Sequence, residues 1–241
     1  MILPMKSRAY RAIAPADFES QVVGQPIYTI VRWKDLKKLG QELRLCPYHI
    51  IVKTGACQQR FIRFLMSRGF CYNSTIVHLK LNLHDASRVS DTHIKPLSLK
   101  DRQQVFGISD EAFAANHNRY TDDVLLKKYC KKIHRAWMFN SIQGFADDCY
   151  GYFRGKRLLG FGTLHVKGKN SVIGLVAADK RYRGQGIGSS IVRALIAAAV
   201  RHGSQEIIVK TQATNNAAVN LYIKNGFSMF DAEVTFYRTK K

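Results

Sequence analysis

The stretch Val172–Gly203 constrains this chain more than any other, because an apolar run, a basic glycine-rich turn and a small-residue helix follow one another directly. Val172-Ile173-Gly174-Leu175-Val176-Ala177-Ala178 has the length and the β-branching of a buried strand. Ile187, Ile191, Leu195 and Ala198 then recur at three- and four-residue intervals, and Gly203 supplies a C-terminal stop. Between strand and helix lies Asp179-Lys180-Arg181-Tyr182-Arg183-Gly184-Gln185-Gly186-Ile187-Gly188. Its three glycines remove side chains at alternate positions, where main-chain N–H groups must approach something closely. The helix they open leaves its first N–H donors unpaired and carries the positive end of the dipole. With Lys180, Arg181 and Arg183 beside it, the turn reads as a phosphate cradle. A surface β–α turn that merely needs positive φ is the plainer reading.

The dinucleotide fingerprint would need glycine at position 189, where Ser189 stands, and the Gly-Lys-Ser/Thr ending of a Walker loop is absent. Arg183-x-x-Gly186-x-Gly188 instead resembles the Q/R-x-x-G-x-G/A motif of GNAT superfamily N-acetyltransferases. A second segment, Asn215-Asn216-Ala217-Ala218-Val219-Asn220-Leu221-Tyr222-Ile223-Lys224-Asn225-Gly226-Phe227, resembles that family's N-x-x-A-x-x-L-Y-x-x-x-G-F pattern at every matched position. The motifs come in the family's order, about thirty residues apart, with a helix and a strand between them. The resemblance covers about Asp91–Arg238.

It implies an N-acetyltransferase that takes acetyl-CoA as its cofactor. Arg183, Gly184, Gln185, Gly186, Ile187, Gly188 and Ser189 would then hold the pyrophosphate. The strand end Val176-Ala177-Ala178 would bind pantetheine through its backbone and direct the thioester carbonyl. Asn215 would fix the other end of the cofactor or the start of its helix, and Tyr222 would be the catalytic general acid. Taken alone, Tyr222 is equally a core aromatic at helical spacing. The chemistry agrees with the acid role: a thiol titrates near ~8.5 and a phenol near ~10, so proton transfer to the leaving thiolate is uphill by only about 2 kcal/mol. A positioned acid is worth on the order of 10² to 10⁴ in rate.

The acceptor is less constrained. Bacterial ribosomal-protein N-terminal acetyltransferases share both motifs but place a Glu base five residues before the motif Asn, where this chain has Lys210. The TDP-fucosamine acetyltransferase family is a closer resemblance. It shares the run Thr211-Gln212-Ala213-Thr214-Asn215, and its S-R-F and W-I-x-N segments are echoed by Asn118-Arg119-Tyr120 and Trp137-Met138-Phe139-Asn140. Asn118 and Tyr120 replace the commoner Ser and Phe. The resemblance implies acetylation of a nucleotide-linked amino sugar, an anionic acceptor, with Arg119, Tyr120, Trp137, Asn140 and Gln212 as substrate-binding residues, and it suggests a homodimer. Acetylation of a protein or another small amine is the in-class alternative, and a CoA-binding, nucleic-acid-associated module without chemistry is the alternative outside it. Asp147, Asp148 and His165 stand near strand ends as candidate bases; a water relay or an already neutral amine is expected instead.

Charge bears on the same question. The 241 residues carry 38 Lys and Arg against 17 Asp and Glu, a net charge of +21. Residues 151–200 hold 9 basic residues and only Asp179 as an acid, so the cradle region is the most lopsided block. Such a field raises the local concentration of an anionic ligand. Nucleic acid is the rival, but the chain has no RNP-like aromatic pattern, helix-turn-helix signal or zinc finger. No apolar stretch has membrane length, and the start Met1-Ile-Leu-Pro-Met-Lys does not read as a secretory signal. Five scattered cysteines without a C-x-x-C pair point to reduced thiols, no metal site, and a soluble, cytoplasmic protein.

The expected fold is α/β: a GNAT-like mixed sheet flanked by helices over residues 91–241, preceded by a smaller α/β domain over residues 1–90. In the first part, strands are expected at Pro26–Trp33, Tyr48–Lys53 and Phe70–Leu83, the last with a break at Asn73-Ser74, and helices at Lys34–Leu45 and Gln58–Arg68. Arg63–Phe70 echoes Asn220–Phe227, both a helix, a glycine stop and an aromatic strand start. The first copy has neither the glycine turn nor the tyrosine, which makes it structural. Leu83–Ser98 reads as the polar boundary, Ser98 and Asp101 as a capping box, Asn116–Asp123 as a loop and Val124–Asn140 as a helix capped by Thr121 or Asp122. Strands follow at Cys149–Arg154, Leu158–Lys167, Val172–Ala178, Glu206–Thr211 and Glu233–Arg238, with helices after the cradle and near Asn215.

Overall fold

The computed structural model describes residues 12–83, 91–113 and 118–239. In chain order the elements are β1 (Ile13–Pro15), α1 (Asp17–Val23), β2 (Ile27–Ile30), α2 (Leu36–Leu45), β3 (His49–Gly55), α3 (Gln59–Ser67), β4 (Cys71–Asn82) and β5 (Ile94–Pro96). Then come α4 (Arg102–Phe113), α5 (Cys130–Asn140), β6 (Asp148–Arg154), β7 (Arg157–Lys167), β8 (Asn170–Ala178), α6 (Ile187–Arg201), β9 (Glu206–Gln212), α7 (Asn216–Lys224) and β10 (Ser228–Arg238). The mixed α/β class with helix-flanked sheet agrees with expectation.

Two compact units interleave along the chain. One comprises Met1–Ile76, Asn118–Ile133 and Ala232–Lys241, and the other Val77–His117 and His134–Asp231. The boundary expected at residue 90 lies outside the described residues, as do Asn116 and His117 of the expected loop.

In the first unit the strand order is β1-β2-β3-β10-β4. β2 and β3 run parallel, and β10 returns antiparallel to β3. Leu39, Leu43, Ile50, Phe61 and Leu65 are almost wholly buried and form its core, with Trp33 stacked on Phe61 at 4.6 Å. Each such aliphatic or aromatic side chain contributes roughly 1.5–3 kcal/mol. β4 runs unbroken through Asn73-Ser74, because Thr235 accepts the N–H of Ser74 at 3.0 Å and ties that point to β10. The segment expected as a helix from Val124 starts instead as a 3-10 turn, Leu126–Tyr129, and becomes α5 only at Cys130. Its cap is neither Thr121 nor Asp122. Asp123, fully buried, accepts the N–H groups of Leu125 and Leu126, each at 2.9 Å, while its other oxygen meets His49 Nε2 at 2.8 Å. A buried carboxylate that satisfies main-chain donors while bound to a His outranks its exposed neighbours as a cap.

The second unit has the strand order β4-β9-β8-β7-β6-β5. β5 forms within the segment expected as linker, and Pro96 fits because, among the described residues, β5 is the edge strand of the sheet. The Ser98–Asp101 capping box is present. Leu159, Leu164 and Ile173 pack on one face with α6 and α7, and Phe161, Leu175 and Ala177 on the other with α4 and α5. Leu159 and Phe161, and Ile173 and Leu175, are two residues apart yet face opposite ways, because a bulge interrupts the alternation at each point. Gly162 lets α6 lie close on β7: a Cβ there would sit 2.6 Å from Ile191 and 2.8 Å from Leu195. Ile191 and Leu195, the stripe read from sequence, are fully buried.

Candidate active site

β8 and β9 are parallel, but their pairing runs only from Asn170↔Glu206 to Ile173↔Val209. Beyond that, β8 stays with β7 through Gly162↔Val176, Phe161↔Ala177 and Gly160↔Ala178, so the strands part and leave an edge of β8 open. The parting coincides with a bulge. Leu164 faces Ile173 and Gly162 faces Val176, so two residues, Gly174 and Leu175, stand opposite Thr163 alone. Thr163 Oγ1 accepts the N–H of Leu175 at 2.9 Å. Val176 and Ala178 are half-buried along this edge and Ala177 is buried on the opposite face.

The turn after β8 begins with Asp179, which is buried and capped onto the N–H of Arg181. Arg181 returns two guanidinium bonds, at 2.9 and 2.6 Å, and holds Asp179 below the usual carboxylate range. Lys180 faces Glu111 at 3.7 Å. Two of the three cations expected around a phosphate are therefore engaged with acids of the protein. Arg183 is exposed and forms no ion pair among the described residues.

Gly184 and Gly186 both have φ of +80°, and nothing lies within 4 Å of where a side chain would stand. Any other residue there would be strained by about 1–2 kcal/mol. Gly186 is the N-cap of α6, and the first helix-closing bond runs from Ser190 N–H to its carbonyl at 3.0 Å. The N–H groups of Ile187, Gly188 and Ser189 precede that bond and carry the positive dipole end of a 15-residue helix. The bare, outward main chain of this turn fits the pyrophosphate of a CoA thioester. Gly188 serves packing: a Cβ there would stand 3.2 Å from Leu221 of α7. Gln185 accepts from Arg154 at 3.2 Å, and Ser189 accepts from Asn225 at 3.2 Å.

Asn215 is the N-cap of α7, its side chain accepting the N–H of Ala218 at 3.2 Å. About two turns later Tyr222 is 5% exposed, its ring 5.6 Å from that of Phe227. Burial alone pushes its phenol well above the ordinary value. It belongs to the core cluster, as the core-aromatic reading expects, and burial keeps its phenol protonated in the neutral range.

The acceptor-side candidates divide between the units. Trp137, Asn140 and Gln212 lie in the second: Trp137 packs edge-on to His134 at 5.9 Å, Asn140 is exposed at the end of α5, and Gln212 ends β9 with its carbonyl on the N–H of Asn215. Arg119 and Tyr120 lie in the first, where Tyr120 donates to Glu19 at 3.0 Å. Of the candidate bases, Asp147 accepts the N–H of Val166 at 2.7 Å, and Asp148 is bound to His202 at 2.7 Å and Tyr150 at 2.8 Å. His165 Nδ1 lies 3.1 Å from the Phe145 carbonyl, which can only accept, so the proton sits on Nδ1 and Nε2 keeps a lone pair. That Nε2 would be 2.9 Å from a Cβ on Gly174 of the bulge. Sequence reasoning missed this contact and the role of Thr163. Their signal was a glycine inside an apolar strand, which marks a bulge or a close approach.

Among known proteins, the acetyltransferase (GNAT) family matches residues 104–227, over half of the chain. N-alpha-acetyltransferase 30 of Schizosaccharomyces pombe is 34% identical over 65 residues, covering 27% of this chain and 43% of that protein. The human protein of that name is 36% identical over 59 residues, 24% of this chain and 16% of its own length. The chain thus spans less than half the length of these curated relatives. Among solved structures, a functionally unknown conserved protein from Staphylococcus epidermidis has a similar fold at a TM-score of 0.63 and 13% identity, over 92% of this chain and 89% of that one. A tandem GNAT protein from the clavulanic acid biosynthesis pathway likewise gives 0.63 at 12% identity, over 90% and 76%. A parted parallel strand pair, a bare-glycine helix start, a buried tyrosine on the following helix and the match over residues 104–227 lead to one assignment: the chain belongs to the acetyltransferase (GNAT) family, whose members use acetyl-CoA as acetyl donor.

Proposed function

We propose that this protein transfers the acetyl group of acetyl-CoA to a primary amine, and that the amine belongs to a nucleotide-linked amino sugar. The single observation that carries the reaction class is the parting of β8 from β9 beside the N-terminus of α6, with Tyr222 on the next helix. When bound, acetyl-CoA supplies an activated carbonyl and a thiol leaving group. The N–H groups of Gly184–Ser189 and the Arg183 guanidinium bind its diphosphate. The main chain of Val176–Ala178, paired with β7 and open on its β9 side, holds the pantetheine arm and orients the carbonyl. Asn215 acts by capping α7 and so fixing the helix that bears Tyr222.

Tyr222 holds a proton at Oη for the departing sulfur. Its burial keeps it protonated through the neutral range, which is the state an acid must start in. His165 is the base, directly or through a water on Nε2. Desolvation lowers its proton affinity, ahead of the opposing bond to the Phe145 carbonyl, so the ring is neutral at pH 7.

The net charge of +21 and the Thr211-Gln212-Ala213-Thr214-Asn215 run support a dianionic sugar nucleotide, with Trp137, Asn140 and Gln212 of the second unit as its binding residues. The likeness to N-alpha-acetyltransferase 30 supports a second reading, a protein α-amine. Thiol release from acetyl-CoA, measured with TDP- and UDP-amino sugars in one series and short peptides in another, separates them. Turnover with peptides alone overturns the sugar reading, and turnover with neither overturns the reaction class.

A further inference from the structure

One cluster in the first unit joins an acid, an imidazole and a hydroxyl from three distant parts of the chain. The antiparallel register of β3 and β10 ends at Arg238↔Ile50, so the next residue, Thr239, falls beside His49. Asp123, His49 and Thr239 all belong to the first unit. His49 Nε2 lies 2.8 Å from Asp123 Oδ2, and His49 Nδ1 lies 2.7 Å from Thr239 Oγ1. Asp123 is fully buried, His49 is 5% exposed, and Thr239 stands at the surface.

The direction of each bond follows from the acid. Asp123 Oδ1 accepts the N–H groups of Leu125 and Leu126, which hold the carboxylate in place. An ionised carboxylate can only accept, so His49 Nε2 carries a proton and donates it to Oδ2. In the neutral ring Nδ1 then keeps a lone pair, and the Thr239 hydroxyl donates to it. Tyr237 stacks on His49, the rings 5.9 Å apart and 20° from parallel, and steadies the plane of the imidazole. A hydroxyl bonded to a base that a third group orients is the arrangement that turns a weak nucleophile into an active one. Here the orienting acid and the base lie inside the unit, and the nucleophile is presented to solvent.

We propose that Thr239 is an acyl-acceptor site for an activated acyl ester or thioester, with His49 as its base and Asp123 as the residue that positions the base. Thr239 Oγ1 bonds to the acyl carbon while its proton passes to His49 Nδ1. The bond from that carbon to the leaving oxygen or sulfur then breaks. The leaving group departs with the electron pair and takes the proton from Nδ1, and the product is an O-acyl threonine. The site is independent of the transfer reaction proposed for the second unit.

Acylation of the full chain tests it, with p-nitrophenyl acetate in one arm and acetyl-CoA in the other, and with mass mapping of the peptide that holds residue 239. At least one donor adds acetyl to Thr239, and the arm that labels it identifies the source. Thr239→Ser keeps the labelling, Thr239→Val removes it, and His49→Gln slows it roughly 10²-fold. Asp123→Asn keeps an oxygen for the N–H groups of Leu125 and Leu126, but its amide donates to Nε2 and moves the ring proton to Nδ1. Labelling falls by a similar factor in that variant, and a nitrogen-15 spectrum shows the changed tautomer. The proposal is overturned if neither donor labels Thr239, or if acetyl appears only on lysines or on Cys71, the exposed thiol that hydrogen-bonds Tyr237. It is overturned equally if His49→Gln or Asp123→Asn, folded, is labelled at the full rate.

Discussion

Thr163 and Leu175 are joined across the β7–β8 bulge, the N–H of Leu175 donating to Thr163 Oγ1 at 2.9 Å where no main-chain acceptor faces it. Thr163 is fully buried. Thr163→Val keeps the shape and removes the acceptor, which leaves a buried N–H open. Denaturant unfolding should show a loss of about 1–3 kcal/mol. Because the bulge sits at the parting edge, the Michaelis constant for acetyl-CoA should rise as well. Thr163→Ser should restore both.

Tyr222→Phe removes only the hydroxyl. The expected result is a fall in kcat on the order of 10²- to 10⁴-fold with CoA affinity retained. A variant with full turnover would return Tyr222 to the role of a core aromatic.

The same phenol governs alkaline stability. Burial raises the proton affinity of Tyr222 and Tyr120, so the folded chain keeps both protons after the unfolded chain has lost them above about pH 10. Stability is then complete below pH 10 and falls as pH rises further, by about 1.4 kcal/mol per pH unit for each such phenol. Thermal melts between pH 9 and 11 should show a shallower decline in Tyr222→Phe than in the unaltered chain.

His165 titrates below the ordinary imidazole range because burial disfavours its cation; Lys167 acts in the same direction, and Asp147 against it. The acid limb of kcat/KM should fall below about pH 6.5 and vanish in His165→Gln. A nitrogen-15 spectrum of the ligand-free protein at pH 7 should show the proton on Nδ1, the tautomer set by the Phe145 carbonyl.

Gly186→Ala forces a side chain onto φ of +80° at the N-cap of α6. The fold should lose about 1–2 kcal/mol. The weakening of CoA binding should be larger than that of pantetheine binding, because only CoA reaches the helix start. Arg183→Ala should weaken CoA in a way that high salt masks.

The strand, turn and helix around the cradle were legible in sequence because all their signals are local: β-branching, glycine spacing and a three-to-four-residue stripe. The same holds for the Ser98–Asp101 box and for Asn215 as a cap. What sequence could not carry was pairing at a distance. β5 forms at Ile94–Pro96, inside a polar stretch, because β6 offers it an edge. Asp123 caps its turn because His49, far off in sequence, meets its second oxygen at 2.8 Å. Arg181 and Lys180 read as free cations until Asp179 and Glu111 are found beside them. The open Nε2 of His165 depends on a carbonyl twenty residues away.

The interleaving of the two units sets an order for biosynthesis. β3 finds its antiparallel neighbour only in residues Glu233–Arg238, almost two hundred positions downstream. While the ribosome is still translating the acetyltransferase motifs, the earlier unit carries an unsatisfied sheet edge and an unfinished core around Phe236. Domains that emerge whole can fold in turn. Here the half that is made first must wait for the half made later, and a nascent chain halted before residue 232 would expose that edge to chaperones and proteases.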